Sequence, residues 1–220
     1  VNYSYNEIFT RNITTEYNLR KNYRGGLAYN FSTRPDNIAP FKKAKSKFMR
    51  SKYMRLIKDF NFYILPQQIS FRTDLNREYQ EIQLRNISTS HMDNASVIIP
   101  PSYNKNFTWN RSYDMKYDLS RALKLDFSAT NMARIDEPAG IVDKKGDPDV
   151  YQAWRDSVFQ SLMDFGRTTQ YHQLINVNWN VPINRIPFLD WASLSTRYNA
   201  TYDWTASPIT SDTIVLGNTI

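Results

Sequence analysis

Residues 107–129 alternate apolar and polar side chains almost without interruption. Successive side chains on a β-strand point to opposite faces, so this pattern predicts a hairpin of two long strands with one apolar and one wet face. The apolar positions are Phe107, Trp109, Tyr113, Met115, Tyr117, Leu119, Leu123, Leu125, Phe127 and Ala129. A largely aromatic face on long strands is typical of a sheet with lipid on one side and water on the other.

The same alternation recurs along the chain and predicts eight strands. They span residues 1–19, 23–32, 57–64, 69–85, 107–119, 122–131, 171–181 and 189–206. Apolar positions change parity at Ile82 and Leu84, which predicts a β-bulge near residues 76–79.

The predicted connections fall into two length classes. The long ones are at about 33–56, 86–106 and 132–170, and the short ones lie near 20–22, 65–68, 120–121 and 182–188. With eight strands, every short turn lies at one end of the sheet and every long loop at the other. This arrangement is typical of outer-membrane barrels, which have short periplasmic turns and long extracellular loops. The predicted fold is therefore all-β: residues 1–220 form one portion of an antiparallel transmembrane β-barrel.

Helices are expected inside two of the long loops. Asp147 is a good N-cap, Pro148 suits the first helical position, and Gly166 suits the position after the end, which predicts a helix at about 148–165. Apolar residues at helical spacing form a stripe on it that is expected to pack on its own loop or on the barrel mouth. In the 33–56 loop, Leu56 and Ile57 support a second, short helix.

Composition narrows the class of protein. The 220 residues include no cysteine, which excludes disulfides and thiolate chemistry, and no apolar run is long enough for a membrane helix. The net charge is +7, and a basic run at 42–58 contains no acidic residue. That run is interpreted as a solvated face, or as a contact for anionic lipid or an acidic partner. No nucleic-acid motif accompanies it, so a nucleic-acid partner is not expected.

No constellation of residues points to catalysis or cofactor binding. Asp114 and Asp118 share a strand face with Lys116, as expected for a mixed-charge wall rather than a glycosidase pair. His91 and His172 have no metal-ligand pattern around them. We therefore expect a protein that is not an enzyme, with no catalytic residue, cofactor or metal.

The alternation divides the candidate residues into two sets. The set expected to face an aqueous lumen is Asp114, Lys116, Asp118, Lys124, Asp126, Asn176, Asn178, Asn180, Arg197 and Asp203. The set expected to face lipid or a partner barrel is Tyr113, Met115, Tyr117, Leu125, Phe127, Val177, Trp179, Tyr198 and Tyr202. Arg111 falls on the apolar parity and is expected near the membrane interface, where a charge costs about 0–1 kcal/mol.

Several long sequence words resemble one known family. IKDFNFYILPQQISFRTDLNREYQEIQLRN, YDLSRALKLDFSATNMARIDEP, DFGRTTQYHQ and NVNWNVPINRIPFLDWASLSTRYNATYDWTASP are similar to consecutive barrel segments of the SprA/Sov family. These are the giant outer-membrane translocons of the type IX secretion system, which are also required for gliding motility. The resemblance spans most of the chain and implies a bacterial outer-membrane location with long loops at the cell surface.

The resemblance also implies the architecture and the partners. The family's barrel has about 36 strands in one chain, so this sequence corresponds to an internal portion, and both its ends look cut from something longer. Folded cargo with a C-terminal signal crosses through the pore. The implied partners are a PorV-type barrel shuttle, a periplasmic plug protein, a peptidyl-prolyl isomerase, other secretion subunits and outer-membrane lipid. The family implies no catalytic residues.

Two other interpretations remain open from the sequence. One is a soluble β-sandwich that binds carbohydrate, in which a second sheet buries the aromatic face. The other is a smaller outer-membrane barrel, a transporter or an anchor, because eight strands can close on themselves.

Overall fold

The described residues form a single antiparallel sheet of seven strands in chain order. The computed structural model describes residues 1–42, 52–86, 99–138 and 147–207. The strands are β1 (Asn2–Thr10), β2 (Thr15–Ser32), β3 (Gln68–Leu84), β4 (Ser102–Asp118), β5 (Leu123–Arg134), β6 (Arg167–Val181) and β7 (Leu194–Thr205). The prediction of an antiparallel all-β fold is confirmed. The sheet is open, and β1 and β7 are its two edges.

The first hairpin turns earlier than predicted. The sequence pattern put a turn at 20–22, but β2 runs through these residues and pairs with β1 from Asn18 to Gly26. The chain instead reverses at 11–14. There the Asn12 side chain accepts hydrogen bonds from the backbone N–H groups of Thr14 (3.0 Å) and Thr15 (2.6 Å). Asparagine favours such turns because its short side chain replaces a backbone acceptor.

The predicted strand at 57–64 is absent. A short helix α1 (Arg55–Lys58) follows a 3-10 turn at Lys52–Met54, and the only ladder contact of this stretch is a single bridge between Ile38 and Phe62. The physical reason lies in β3, which pairs with β2 on one side and β4 on the other along almost its whole length. Since both sides of β3 are occupied, 57–64 has no place in the sheet. Residues 43–51, in the rest of the predicted helical loop, lie outside the described residues.

Because one predicted strand is absent, the prediction that short and long connections lie at opposite ends of the sheet is wrong. At one end of the sheet, here called the lower end, lie the connections 33–67, 119–122 and 182–193. At the other, the upper end, lie 11–14, 85–101 and 135–166. Each end therefore carries both short and long connections, and loop length does not tell the two ends apart.

The bulge predicted in β3 is also absent. β3 pairs with β2 and β4 without a register shift from Gln68 to Ile82, and the irregularities lie between Thr15 and Tyr17 and between Met132 and Ala133. Ile82 and Leu84 simply lie on the opposite face from Phe71 and Leu75. The apolar residues therefore change from one face of β3 to the other, while the strand itself continues regularly.

The predicted helix in the third long loop is confirmed as α2 (Pro148–Met163). The Asp147 side chain caps it by accepting from the N–H of Asp149 at 3.0 Å. Its C-terminus leads through two residues with positive φ, Phe165 (61°) and Gly166 (69°), into β6. Val158 is the buried residue of the helix. Among the described residues, no helix is long and apolar enough to cross a membrane.

Candidate functional site

The strand register puts the whole aromatic set on one face of the sheet. Tyr113 pairs with Ala129 and Met115 with Phe127, and the ladder continues from Val177 to Tyr198. All nine residues expected to face lipid or a partner share this side, here called the apolar face. It carries the odd-numbered residues of β1 to β5, the odd-numbered residues of β6 from Tyr171 onward, and the even-numbered residues of β7.

The ten residues expected to face a lumen lie together on the opposite, polar face. Lys116 pairs with Asp126 and Asp118 with Lys124 across β4 and β5. Asp118 accepts a hydrogen bond from the Gln67 side chain at 2.5 Å. The charges of both signs are interleaved, so this face presents a mixed and hydrated surface.

His172 also lies on the polar face, where its Nδ1 is 2.5 Å from a carboxylate oxygen of Asp203 on β7. His91 lies outside the described residues. Within the described ranges, no group of three or more acidic or histidine side chains has the geometry to hold a metal ion.

The lower half of the apolar face, the apolar band, carries no charged side chain across β2 to β7 within the described residues. Its apolar and aromatic members are Tyr29, Phe31, Ile69, Phe71, Tyr113, Met115, Tyr117, Leu123, Leu125, Phe127, Ala129, Ile175, Val177, Trp179, Val181, Leu194, Tyr198, Ala200 and Tyr202. The uncharged polar residues Gln173 and Thr196 lie among them. Several large aromatic residues on the band are exposed: Tyr29 is 55% exposed, Tyr198 is 60% exposed and Tyr202 is 55% exposed. An apolar surface of this extent marks an interaction site.

Tyr117 differs from the rest of the band. Its hydroxyl donates to the carbonyl oxygens of Tyr63 (3.0 Å) and Ile64 (3.3 Å) in the β2–β3 connection. The side chain is therefore half-buried under that connection. It shares the apolar face, as the alternation predicts, but its polar tip is tied to protein.

The upper half of the apolar face has the opposite chemistry, because it carries charges and is partly covered by 135–138 and α2. Arg77 donates two hydrogen bonds to Glu137, at 2.6 and 2.8 Å, and the indole of Trp154 on α2 donates to the same carboxylate at 3.3 Å. The Arg77 guanidinium lies 5.4 Å from the Trp154 ring and 5.6 Å from the Tyr23 ring. The Glu137 side chain is 2% exposed. We call these four residues the latch cluster, since they join α2 and its loop to the sheet.

Arg111 is covered in the same way. The residue is buried, and its Nη2 donates to Asn131 (3.2 Å) and to the carbonyl oxygen of Phe165 (3.1 Å). Its guanidinium lies 4.8 Å from the ring of Trp109. The sequence placed this charge at a membrane interface, whereas the structure encloses it in protein at the border between the two halves of the face.

A second ion pair fixes the ends of the same loop. Arg167, the first residue of β6, donates to Asp136 at 2.9 and 3.1 Å. These hydrogen bonds hold the pKa of the Asp136 carboxyl below its usual value, although partial burial works in the opposite direction. Arg167 has a raised pKa for the same reason.

Sequence reasoning missed the latch cluster, and a signal for it was present. Four charged residues occupy the parity that is mostly apolar in β3 and β4: Arg77, Glu81, Lys105 and Arg111. A charge at such a position needs a covering partner, and the pattern therefore indicated where a loop folds back over the sheet. The partner Glu137 was not recognisable, because it lies 60 residues away from Arg77 in sequence.

Comparisons with known proteins do not add a family to this description. A scan against protein-family models finds no match, and a search of the curated proteins finds no significant relative of the chain.

Proposed function

We propose that this chain forms part of the wall of an outer-membrane pore that exports folded proteins, as in the type IX secretion translocons that its sequence resembles. In this proposal the apolar band faces lipid or a partner barrel, and the polar face lines an aqueous lumen. The wall does no chemistry. Its mixed charges and asparagines keep it hydrated and give a passing folded protein no continuous apolar surface to adhere to.

The observation that carries the proposal is the charge-free band opposite a hydrated face. The chain covers Arg77 and Arg111 in the upper half of the apolar face with α2 and the described residues beside it. In the band, eight of the nineteen residues are exposed, ten are half-buried and Ala129 is buried. In a bilayer the exposed part needs no cover, because hydrocarbon solvates aromatic and aliphatic side chains. Charges on a lipid-facing position would cost about 2–4 kcal/mol each at the midplane.

Strand length supports the same proposal. A tilted transmembrane strand needs about 9–11 residues, and β7 has 12 while β2 has 18 and β3 has 17. The band takes up the lower part of these strands. In this proposal the upper parts of β2, β3 and β4 rise beyond the hydrocarbon, where Arg77 and Arg111 are enclosed by protein.

In a membrane the open sheet would need further strands, whether the barrel is large or small. Seven strands leave β1 and β7 with unpaired backbone groups along one side each, among the described residues. Hydrocarbon does not tolerate unpaired edges, so further strands would have to pair with both. A smaller transporter or anchor would need its remaining strands to close the sheet.

A soluble β-sandwich predicts a second sheet packed over the aromatic face. The part of the chain that the structure describes contributes one sheet only, and its helix α2 covers the charged half of the face rather than the aromatic half. We therefore rank the sandwich below the membrane wall.

The test is the mass and location of the native polypeptide, detected with an antibody raised against 147–170. We expect one band in the outer-membrane fraction, many times larger than the 25.9 kDa of this chain. A band near that mass in membranes would replace the translocon by a small barrel. Signal in the soluble fraction would instead support the soluble β-sandwich.

If the large band is found, the implied partners can be tested in the same extract. Co-purification of a PorV-type barrel, a plug protein and a peptidyl-prolyl isomerase with the antibody would support the secretion role. Their absence, with a large membrane band, would leave a giant barrel of another function.

A further inference from the structure

A cleft of about 520 Å³ opens at the lower end of the sheet, next to the apolar band. Three connections meet around it: the β2–β3 connection, the turn at 119–122 and the 3-10 turn at Ile183–Arg185. The residues used in the argument are Lys42, Lys58, Phe60, Arg121, Trp179 and Arg185. This cleft lies outside the latch cluster, and Asn180 is the one member of the lumen-facing set among its lining residues.

Hydrogen bonds join the β2–β3 connection to the turn at 119–122, and the Asp59–Arg185 ion pair joins it to the 3-10 turn. The Asn61 side-chain oxygen accepts from the backbone N–H of Arg121 (3.0 Å) and from the side chain of Asn37 (3.0 Å). The N–H of Tyr63 donates to the carbonyl oxygen of Leu119 at 3.1 Å. The fold thus sets the backbone positions of these connections before any ligand arrives.

The cleft is strongly basic. Its lining has four basic side chains and one carboxylate, a net charge of +3. The carboxylate, Asp59, pairs with Arg185 at 2.5 Å. Lys42, Lys58 and Arg121 have no carboxylate within ion-pair distance among the described residues. Three converging cations without counter-charge favour an anionic ligand.

The cleft also opens onto the band. Leu123 and Trp179 pair across β5 and β6 near the lower limit of the band, and both line the cleft. Phe60 and Leu56 extend this apolar lining. Tryptophan prefers the boundary between hydrocarbon and headgroups, where its ring is buried and its N–H is wet. One site therefore offers cations and an apolar wall side by side, which fits an amphipathic anion.

We propose that this cleft binds the phosphoryl headgroup of an anionic lipid, with the acyl chains lying along the band at Leu123 and Trp179. The inference rests on the proposed function, because only a membrane-embedded band brings lipid to this position. Basic side chains at a membrane surface attract anionic headgroups at about 1 kcal/mol each. The site would fix the depth of the wall in the bilayer.

The test uses the full-length protein in nanodiscs of phosphatidylethanolamine with a minor fraction of spin-labelled phosphatidylglycerol. The variant Lys58→Gln with Arg121→Gln removes two unpaired cations, and Lys58→Arg with Arg121→Lys keeps their charge. Arg24→Gln with Arg155→Gln is the control, because it removes two exposed cations far from the cleft. We expect the neutral pair to weaken retention of labelled lipid about fivefold per lost cation, and the other two variants to retain it.

Several outcomes would overturn the inference. Equal retention of a zwitterionic label, or equal loss in the control, would mean that no specific site exists. Displacement of the lipid by inorganic phosphate at low concentration would indicate a free phosphate site. If an acidic peptide binds to the cleft and lipid does not, the ligand is a protein partner. If the protein fails to float with vesicles, the proposed function fails as well, whereas flotation without lipid preference removes this inference alone.

Discussion

Single charged residues decide which parts of the apolar face are covered by protein. Arg77 and Glu137 form a two-point ion pair whose carboxylate is almost entirely enclosed, and Trp154 brings α2 against it. A buried charge without its partner is strongly unfavourable. The pair therefore makes docking of the loop obligatory once β3 has formed.

Removing that partner should release the loop. We expect Glu137→Gln to lower the free energy of opening of α2 by about 3 kcal/mol, since it leaves the Arg77 charge enclosed and unpaired. Hydrogen exchange of the α2 amides in the full-length protein measures this. The control is Asp74→Asn, which breaks an exposed pair with Arg72 and should cost less than about 1 kcal/mol. Equal effects of the two variants would contradict the latch cluster.

The Asp136–Arg167 pair predicts how loop docking depends on pH. The folded-state pKa of Asp136 is lowered by hydrogen bonds from Arg167. Its stabilising contribution is therefore complete above the ordinary carboxyl pKa of about 3.9 and is lost as the pH falls through the lower, folded-state value. We expect amide exchange at 135–137 to be constant between pH 5 and 8, after correction for intrinsic rates, and to accelerate below about pH 4. In Arg167→Gln most of this contribution should already be absent at neutral pH, since only Arg134, 3.7 Å from the carboxylate, remains beside Asp136.

At the scale of elements, the junction between α2 and β6 depends on one glycine. Gly166 has φ +69°, and a Cβ there would lie 2.8 Å from Ile135 Cδ1 and 3.0 Å from the carbonyl oxygen of Arg134. No side chain fits without displacing β5 or the loop. The turn can place the Phe165 carbonyl oxygen against the Arg111 guanidinium because residue 166 has no side chain.

We expect Gly166→Ala to destabilise this junction by about 2 kcal/mol or more, from the left-handed backbone and the close contacts together. Gly25→Ala is the matched control, because a Cβ there meets nothing within 4 Å. Hydrogen exchange at the start of β6 reports the difference. Comparable exchange in both variants would show that the turn tolerates a side chain.

At the scale of the whole molecule, the two faces predict opposite responses to the same added charge. Tyr198 and Asn199 are neighbours on β7, and they point to the apolar and polar faces respectively. In the proposed wall, Tyr198→Arg places a charge in mid-band at a cost of about 2–4 kcal/mol. Asn199→Arg adds the same charge to a hydrated surface.

We therefore expect Tyr198→Arg to reduce the amount of assembled protein in the outer membrane, and Asn199→Arg to leave it unchanged. Heat-modifiable migration on gels, quantified in membrane fractions, measures assembly. If both variants assemble equally well, the band does not face lipid. If both fail, the faces are not distinct in the way proposed.

The sequence by itself determined the sidedness of the sheet and the helix α2. Alternation is a local property of a strand, so all nineteen candidate residues separate onto the two faces that their parity predicts. The caps of α2 are equally local: Asp147 and Pro148 at its start and Gly166 just after it. Both features depend on neighbouring residues in the sequence and not on contacts with distant ones.

Only the tertiary structure decided the strand count, the placement of the connections and the enclosed charges. The pattern of 57–64 predicts a strand, but this stretch is excluded from the sheet because β2 and β4 already pair with β3 on both sides. Arg77 and Arg111 lie at apolar parity, and only the fold supplies Glu137, Trp154 and Phe165 to enclose them. Competition for strand partners and the desolvation of charges are both long-range effects, and the pattern of neighbouring residues does not record them.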